Sequence, residues 1–346
     1  MIAGRAKLVS WGLQAVLIAA PLVIALSSKD TFLHDSLTQV LLFAILALSW
    51  NILGGFARQV SVGHVAFFGI GAYTSTLLAL HFSLTPWLGM IVGGFIAAAA
   101  GALLGLVTFR LRGKFFTMAT LAFAEVMRIL AVDLRAVTRG SEGITINSTP
   151  DPSMFVFGSL QTYVFVGFAL MLALYGLSVL LARSKIGLKL LAYREEEEAA
   201  RALGVRTVRL RLFVMVLSAF CTALGGSFYA QYLLFIDPDS VFGIELSLQM
   251  ALLSVVGGVG TAIGPIIGTY LVVPFGQFLR AQLGSDLAGL HLVIYGFALI
   301  AVLYKMPNGV WPAIEGLIQR LCSSGPTSRP TSGPERPVPA KPEQGA

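Results

Sequence analysis

Charge is scarce in this chain. Of 346 residues only 12% are Asp, Glu, Lys or Arg, while 56% are hydrophobic. Water-soluble domains carry roughly twice that charged fraction, so most of the surface must face lipid or other apolar helices. Cysteine is scarcer still. Cys221 lies in a hydrophobic run and Cys322 near the tail, which excludes a disulfide scaffold. No Cys/His cluster has metal-ligand spacing, so neither a metal nor a cofactor is expected. The phosphate loop Gly-x-x-x-x-Gly-Lys-Ser/Thr is missing: Gly113-Lys114 lacks both the upstream glycine and the following hydroxyl. No serine nucleophile elbow occurs. These absences exclude ATP hydrolysis through that loop, a metalloenzyme and a serine hydrolase. The net charge of +7 sits in a few loops. It therefore reports topology and not nucleic-acid binding.

Long apolar runs are what the chain has instead. A spanning helix needs about 20 apolar residues, fewer if it is broken or buried in protein. Windows of that kind cover residues 11–26, 37–56, 60–81, 86–109, 115–132, 162–181, 212–236, 246–256, 263–279 and 287–303. The expected fold is an all-α integral membrane protein of about 8–10 transmembrane helices. The short eighth window and the turn Gly257-Gly258-Val259-Gly260 to Gly264-Pro265 point to broken or re-entrant segments. Residues 1–10 read as an N-terminal tail and 11–305 as the membrane domain. Residues 306–346 read as a C-terminal segment, disordered from about 323, where Pro, Ser, Gly and Thr dominate. The first window resembles a signal peptide, but it ends in Ser27-Ser28-Lys29-Asp30 without a small-x-small cleavage site and reads as a first helix.

Threading ten windows puts Arg5, Lys7, Arg58, Arg110, Arg112, Lys114, the stretch 183–211 and Lys305 on one side. The other side receives Asp237-Pro238-Asp239, Ser285-Asp286 and the 134–161 loop, with Arg135 and Arg139 as exceptions. By the positive-inside rule the basic side is cytoplasmic, and so are both termini.

Within 183–211, Ala, Leu, Glu, Arg and Lys predict a helix over 189–203. Glu197 and Glu198 lie four and three residues before Arg201. Gly204 suits a left-handed stop. From its residues alone, this is either a charge-laced surface helix or a docking segment.

Polar groups inside the apolar windows form a second set. Gln59, Ser61 and His64 would not be tolerated by lipid and must face a cavity or a neighbouring helix. For His64 a buried imidazole bonded to a backbone carbonyl is preferred over substrate contact. Gly54, Gly55, Gly63, Gly69 and Gly71 let helices approach or unwind. Tyr73 reads as packing. Glu125 and Arg128, three apart within one window, read as a self-neutralising pair or as a pathway lining. Glu245 is placed to cap the eighth window. Val62-Gly63 and Ile70-Gly71-x-Tyr73 recur as Val259-Gly260 and Ile267-Gly268-x-Tyr270 at constant offset. That echo is either a chance alignment of two glycine-rich segments or a repeat, and a repeat predicts that the two segments face each other across a pathway.

Glu198-Ala199-Ala200-x-x-x-Gly204 resembles the EAA loop of ATP-binding-cassette (ABC) importer permeases, although the family's Ile-x-Leu-Pro is absent. The segments 48–73, 120–128, 194–204 and 257–265 resemble the LivM type of branched-chain amino acid permease and occur in that family's order. The resemblance implies an ABC importer permease fold in the bacterial inner membrane. It implies a second homologous permease subunit, two ABC ATPase subunits, a periplasmic solute-binding protein and a small-molecule substrate. The substrate would be a branched-chain amino acid, or urea or a short amide. It also implies that Glu197, Glu198, Ala199, Ala200, Arg201 and Gly204 couple to the ATPase. The pathway would then be lined by Gln59, Ser61, Gly63, His64, Gly69, Gly71, Tyr73, Glu125, Arg128, Gly260 and Gly268. An ion-coupled secondary transporter would want more mid-span acids than Glu125 and Glu245. An intramembrane enzyme would want a nucleophile–base set that is not visible.

Overall fold

The computed structural model describes residues 2–111, 113–146, 149–283 and 290–323. The expectations for Arg112, Ser285-Asp286 and the tail beyond 323 fall outside the described residues. The chain runs through α1 (Ile2–Ser27), α2 (Thr31–Gly54), α3 (His64–Phe82), α4 (Pro86–Thr108), α5 (Lys114–Asp133) and the short α6 (Arg135–Thr138). It continues through α7 (Leu160–Arg183), α8 (Lys185–Glu195), α9 (Glu197–Ala202) and α10 (Thr207–Leu233). The last helices are α11 (Pro238–Phe242), α12 (Ile244–Gly257), α13 (Gly264–Leu283), α14 (Leu290–Lys305) and α15 (Val310–Ser323). A two-residue strand β1 (Ile144–Thr145) pairs antiparallel with β2 (Phe235–Ile236). Among the described residues eight helical stretches are long and apolar enough to cross a membrane, nine if α14 and α15, bent by 41° at their break, form one span. The protein is an all-α membrane protein, as its composition requires.

Burial ranks the helices. The apolar window of α2 is 89% buried and that of α1 only 17%, so α2 is the central post and α1 a peripheral one. α2 packs against α7, α10, α12 and α13, while α3 packs against α4 and α10. Lipid tails are as apolar as leucine, so small residues and polar bonds supply the interhelical contact. Ser254 on α12 donates to Ala47 O on α2, and Ser227 on α10 donates to Gly71 O on α3, both at 2.9 Å.

The two ends of the bundle differ in charge. At one end Arg58 donates to Arg194 O and Gln59 bonds the Tyr193 hydroxyl, which gathers the 55–63 segment under α8. At the other, β1 meets β2, Trp87 donates to Pro152 O, and the capping box of Asp237 and Ser240 starts α11.

The third window begins differently from its expected bounds. Residues 60–63 are not helical and α3 starts at His64. His64 stands beside Ser218, about 16 Å up α10 at 1.5 Å per residue. Irregular backbone at that depth is stable only inside protein with its polar groups paired. Here Trp50 Nε1 donates to Ser61 O at 2.8 Å, Thr117 Oγ1 to Val60 O at 2.8 Å, and Val62 N to Thr120 Oγ1 at 3.2 Å. The eighth window proves longer than expected: α11 and α12 together give a candidate span of 20 residues. Glu245 lies in the first turn of α12, where an acid suits the helix dipole, and Gly243 is the N-cap. Residues 310–323, assigned no structure from composition, form α15, with Trp311 buried and Pro312 against Gly258.

Candidate transport cavity and coupling segment

A cavity of about 660 Å³ opens among α2, α10, α12, α13 and α14, in the acidic-end half of the bundle. Its walls are mostly apolar and aromatic, with Phe43, Leu46, Phe68, Tyr229 and Tyr295 among them. Glu245 and Arg280 bring one acid and one base to its lining. Neither has an ion pair or hydrogen bond among the described residues. Gln39 and Gln277 also line it and are held in a chain of bonds. Gln277 donates to Gln39 at 3.0 Å, Gln39 donates to Asp35 at 3.0 Å, and Ser36 and Tyr232 close on Gln277 and Asp35. This cavity was missed at the level of sequence. The signal was present, in glutamines and an arginine inside apolar helices.

None of the sequence-predicted pathway residues lines this cavity. The Ser61–His64 set is instead a closed structural network. Ser218 donates to Ser49 O at 2.6 Å, which leaves its oxygen to accept from His64 Nε2 at 2.7 Å. Nδ1 then accepts from Ser61 at 3.0 Å, a tautomer assigned from the network. His64 is therefore the expected buried imidazole, bonded to two hydroxyls and not to a carbonyl, and it has no position left for a ligand. Gln59 faces a separate recess at the basic end. Tyr73 stacks on Phe242.

The glycine echo also resolves into packing. Gly71 backs onto the Ala223 carbonyl of α10, and Gly268 onto the Leu253 carbonyl of α12. The two segments therefore do not face each other, which corrects the expectation drawn from the repeat. The last turn of α2 reaches both: Trp50 bonds Ser61 O, while Asn51 donates to Thr261 O and accepts from Gly260 N, each at 2.9 Å. Gly260 has φ +77° with Arg194 and Gly55 O against it, a place no side chain could take.

Glu125 and Arg128 pair at 2.7 Å, and Arg128 also reaches Asp239 at 2.9 Å. The pair thus ties α5 to α11. All three side chains are at least a third exposed or nearly so, which makes the contribution to stability small.

At the basic end the expected helix 189–203 is broken. Glu196 adopts an extended conformation (φ −155°, ψ 116°) that separates α8 from α9. Glu197 pairs with Arg201 and lies 3.8 Å from Arg211. Gly204 has φ +82° and ends the turn, as expected of a left-handed stop. Ala200 points inward with 1% exposure, whereas Glu198, Ala199 and Arg201 are exposed and Leu203 is 81% exposed. The outward face of α9 is therefore Glu198, Ala199, Ala202 and Leu203.

A bundle of this composition, with an internal cavity and a short surface helix between two spans, has the form of a solute permease. The profile of the family described as branched-chain amino acid transport system / permease component matches residues 32–303, and the chain belongs to that family. It is 28% identical to the high-affinity branched-chain amino acid transport system permease protein LivM of Salmonella typhimurium, covering 89% of this chain and 75% of LivM. It is 24% identical to LivH of the same organism, covering 78% of this chain and 90% of LivH. It is also 28% identical to the autoinducer 2 import system permease protein LsrC of Photorhabdus laumondii, covering 71% and 72%. The chain is thus a multi-pass membrane permease.

Proposed function

We propose that this permease carries leucine, isoleucine or valine across the bacterial inner membrane as one subunit of an ABC importer. Its companions are a second permease of LivH type, two ABC ATPase subunits and a periplasmic solute-binding protein. The basic end lies in the cytoplasm, as the positive-inside rule favours, and both termini with it. The cavity is the observation that carries the substrate reading. A free apolar amino acid has an ammonium, a carboxylate and a greasy side chain. The cavity supplies apolar walls together with Glu245 and Arg280, neither of which is paired among the described residues. A carboxylate on Arg gains a bidentate, charge-assisted bond. The cavity lies in the acidic-end half of the bundle, the half nearer to where a binding protein would release its cargo. The similarity to LsrC, a permease of an autoinducer 2 import system, supports a second reading, a small solute that is not an amino acid. An uncharged solute such as urea would leave Glu245 and Arg280 without partners.

Uptake of labelled leucine by the assembled complex tests this. Arg280→Gln and Glu245→Gln should each lower leucine uptake by about tenfold or more, the loss of one charge-assisted bond of about 1.5–3 kcal/mol. Both side chains are exposed, so the variants should fold. Uptake unchanged in both variants, or equally inhibited by urea and valine in the wild type, overturns the amino-acid reading.

The α8–α9 segment is proposed as the contact with the ATPase, with Leu203 as its apolar knob. In the assembled complex Leu203→Cys should crosslink to an ATPase cysteine and Ala200→Cys should not, because Ala200 is turned inward. Gly204→Val should leave assembly intact and uncouple ATP hydrolysis from uptake, since a β-branched residue resists a positive φ. Labelling of Leu203→Cys from the periplasmic side would reverse the topology.

A further inference from the structure

A second recess, of about 460 Å³, lies at the basic end between the 58–60 segment, the start of α5 and the α8–α10 region. Arg58, Lys114 and Arg211 line it together with a single acid, Glu197. That acid is engaged by Arg201 and stands 3.8 Å from a terminal nitrogen of Arg211, so one carboxylate is shared by two arginines. Arg58 and Lys114 form no ion pair among the described residues. A run of surface cations is usually just solvated. Arg211 makes this one different, because it is only 4% exposed. One of its terminal nitrogens donates to Phe109 O at 3.2 Å, and the guanidinium lies over the Phe109 and Tyr193 rings. Its Nε has no partner. Arginine is almost never fully buried unless paired, and an orphaned buried donor calls for a missing acceptor.

Gln59 gives a second, independent sign. It is 9% exposed, its Nε2 bonds the Tyr193 hydroxyl at 3.3 Å, and its Oε1 has no partner. Turning the amide over lets the Tyr193 hydroxyl donate to Oε1 and aims the NH₂ group into the recess. Arg58, Lys114, Arg211 and Gln59 would then all offer donors to the recess, against the one carboxylate of Glu197. The mouth is apolar: Leu111 lines it, and Phe115 and Met118 lie exposed on the first turns of α5.

We propose that this recess binds one phosphate group, presented by an anionic phospholipid of the adjacent leaflet. Basic pockets between helices at a membrane surface hold lipid headgroups in this way. The guanidinium of Arg211 and the Gln59 amide meet the phosphate oxygens, Arg58 and Lys114 neutralise the charge, and an acyl chain runs along Phe115 and Met118. Bound there, the headgroup joins the 58–60 segment to α10 beside Glu197, and so fastens the coupling segment to the bundle.

Native mass spectrometry of the delipidated full chain tests this, with phosphatidylglycerol and phosphatidylcholine as probes. The wild type should retain one phosphatidylglycerol at roughly tenfold lower lipid concentration than phosphatidylcholine, a difference of about 1.4 kcal/mol. The double variant Arg58→Gln/Lys114→Gln should lose that preference. The charge-matched Lys189→Gln/Lys305→Gln, outside the recess, should keep it. Millimolar inorganic phosphate displacing the lipid supports a site that reads phosphate itself. Inorganic phosphate that raises the melting temperature of the wild type but not of the recess variant, without any lipid preference, overturns the lipid source while upholding the anion site. Equal retention of both lipids with no phosphate effect, or a preference that survives in Arg58→Gln/Lys114→Gln, overturns the proposal.

Discussion

Gly71→Leu should abolish uptake while the chain still inserts in the membrane. Three helices meet at this residue. A Cβ there would overlap the Ala223 carbonyl of α10, Ser227 donates to the Gly71 carbonyl at 2.9 Å, and a Cβ on Gly93 of α4 would come within 3.3 Å of the Gly71 Cα. The opposing atoms are backbone, so they cannot rotate away as a side chain can. Leucine must push α3 off α10, a distortion costing at least about 1–3 kcal/mol. The apolar content that drives insertion is unchanged. Gly69→Leu is the control. Its Cβ would first meet the Phe242 ring, carried on the five-residue α11, and a ring on a short helix can yield. The measurements are uptake, membrane level and melting temperature in detergent. Gly71→Leu should lose uptake and melt lower, with Gly69→Leu between it and wild type. Wild-type behaviour in Gly71→Leu would show that α3 and α10 do not pack as described.

Asn51→Leu should be the most damaging single change in α2. The Asn51 side chain is wholly buried, and it closes both a donor and an acceptor bond to the Gly260–Thr261 turn. A polar bond between helices in a membrane averages only about 0.6 kcal/mol, because the separated helices find other partners. The Gly260 N–H and Thr261 carbonyl are fixed in a glycine turn and have no such choice. Stranding each costs about 1–3 kcal/mol, so the pair costs about 2–6. Ser254→Ala is the comparison. Its hydroxyl shares a bond between Ala47 O and Met250 O. Met250 O lies four residues back on α12, so its removal should cost no more than the membrane average. Equal shifts in melting temperature for the two variants would mean that Asn51 is one ordinary bond among many.

The helices were legible because a span must be long and apolar, and nothing else in a sequence looks like that. The left-handed stop at Gly204 was legible because a left-handed residue after a charged helix is a local requirement. What misled was the glycine-rich segment 59–73. Polar residues beside glycines mark places where lipid is excluded, but they do not say whether the excluding partner is a cavity or another helix. His64 and Gly71 turned out to serve packing. Glu245 and Arg280 line one cavity only through the pairing of α12 with α13, a tertiary fact with no local trace. The break at Glu196 was hidden for a similar reason: four glutamates read as good helix formers, and helix propensity alone is a weak guide where a chain must turn. The inward turn of Ala200 followed from that break.

The clamp at the end of α2 has a bearing on how the protein is made. Asn51 finds its partner 210 residues later in the chain, and Ser49 finds Ser218 169 residues later. Synthesis proceeds from the N-terminus. The central helix therefore emerges long before the groups that satisfy it, and the irregular 55–63 segment must wait in a sheltered place until α10 arrives. Nascent chains stalled before Thr207 should stay beside the insertion machinery and be open to proteolysis. Chains stalled after Leu283 should be released as a closed bundle.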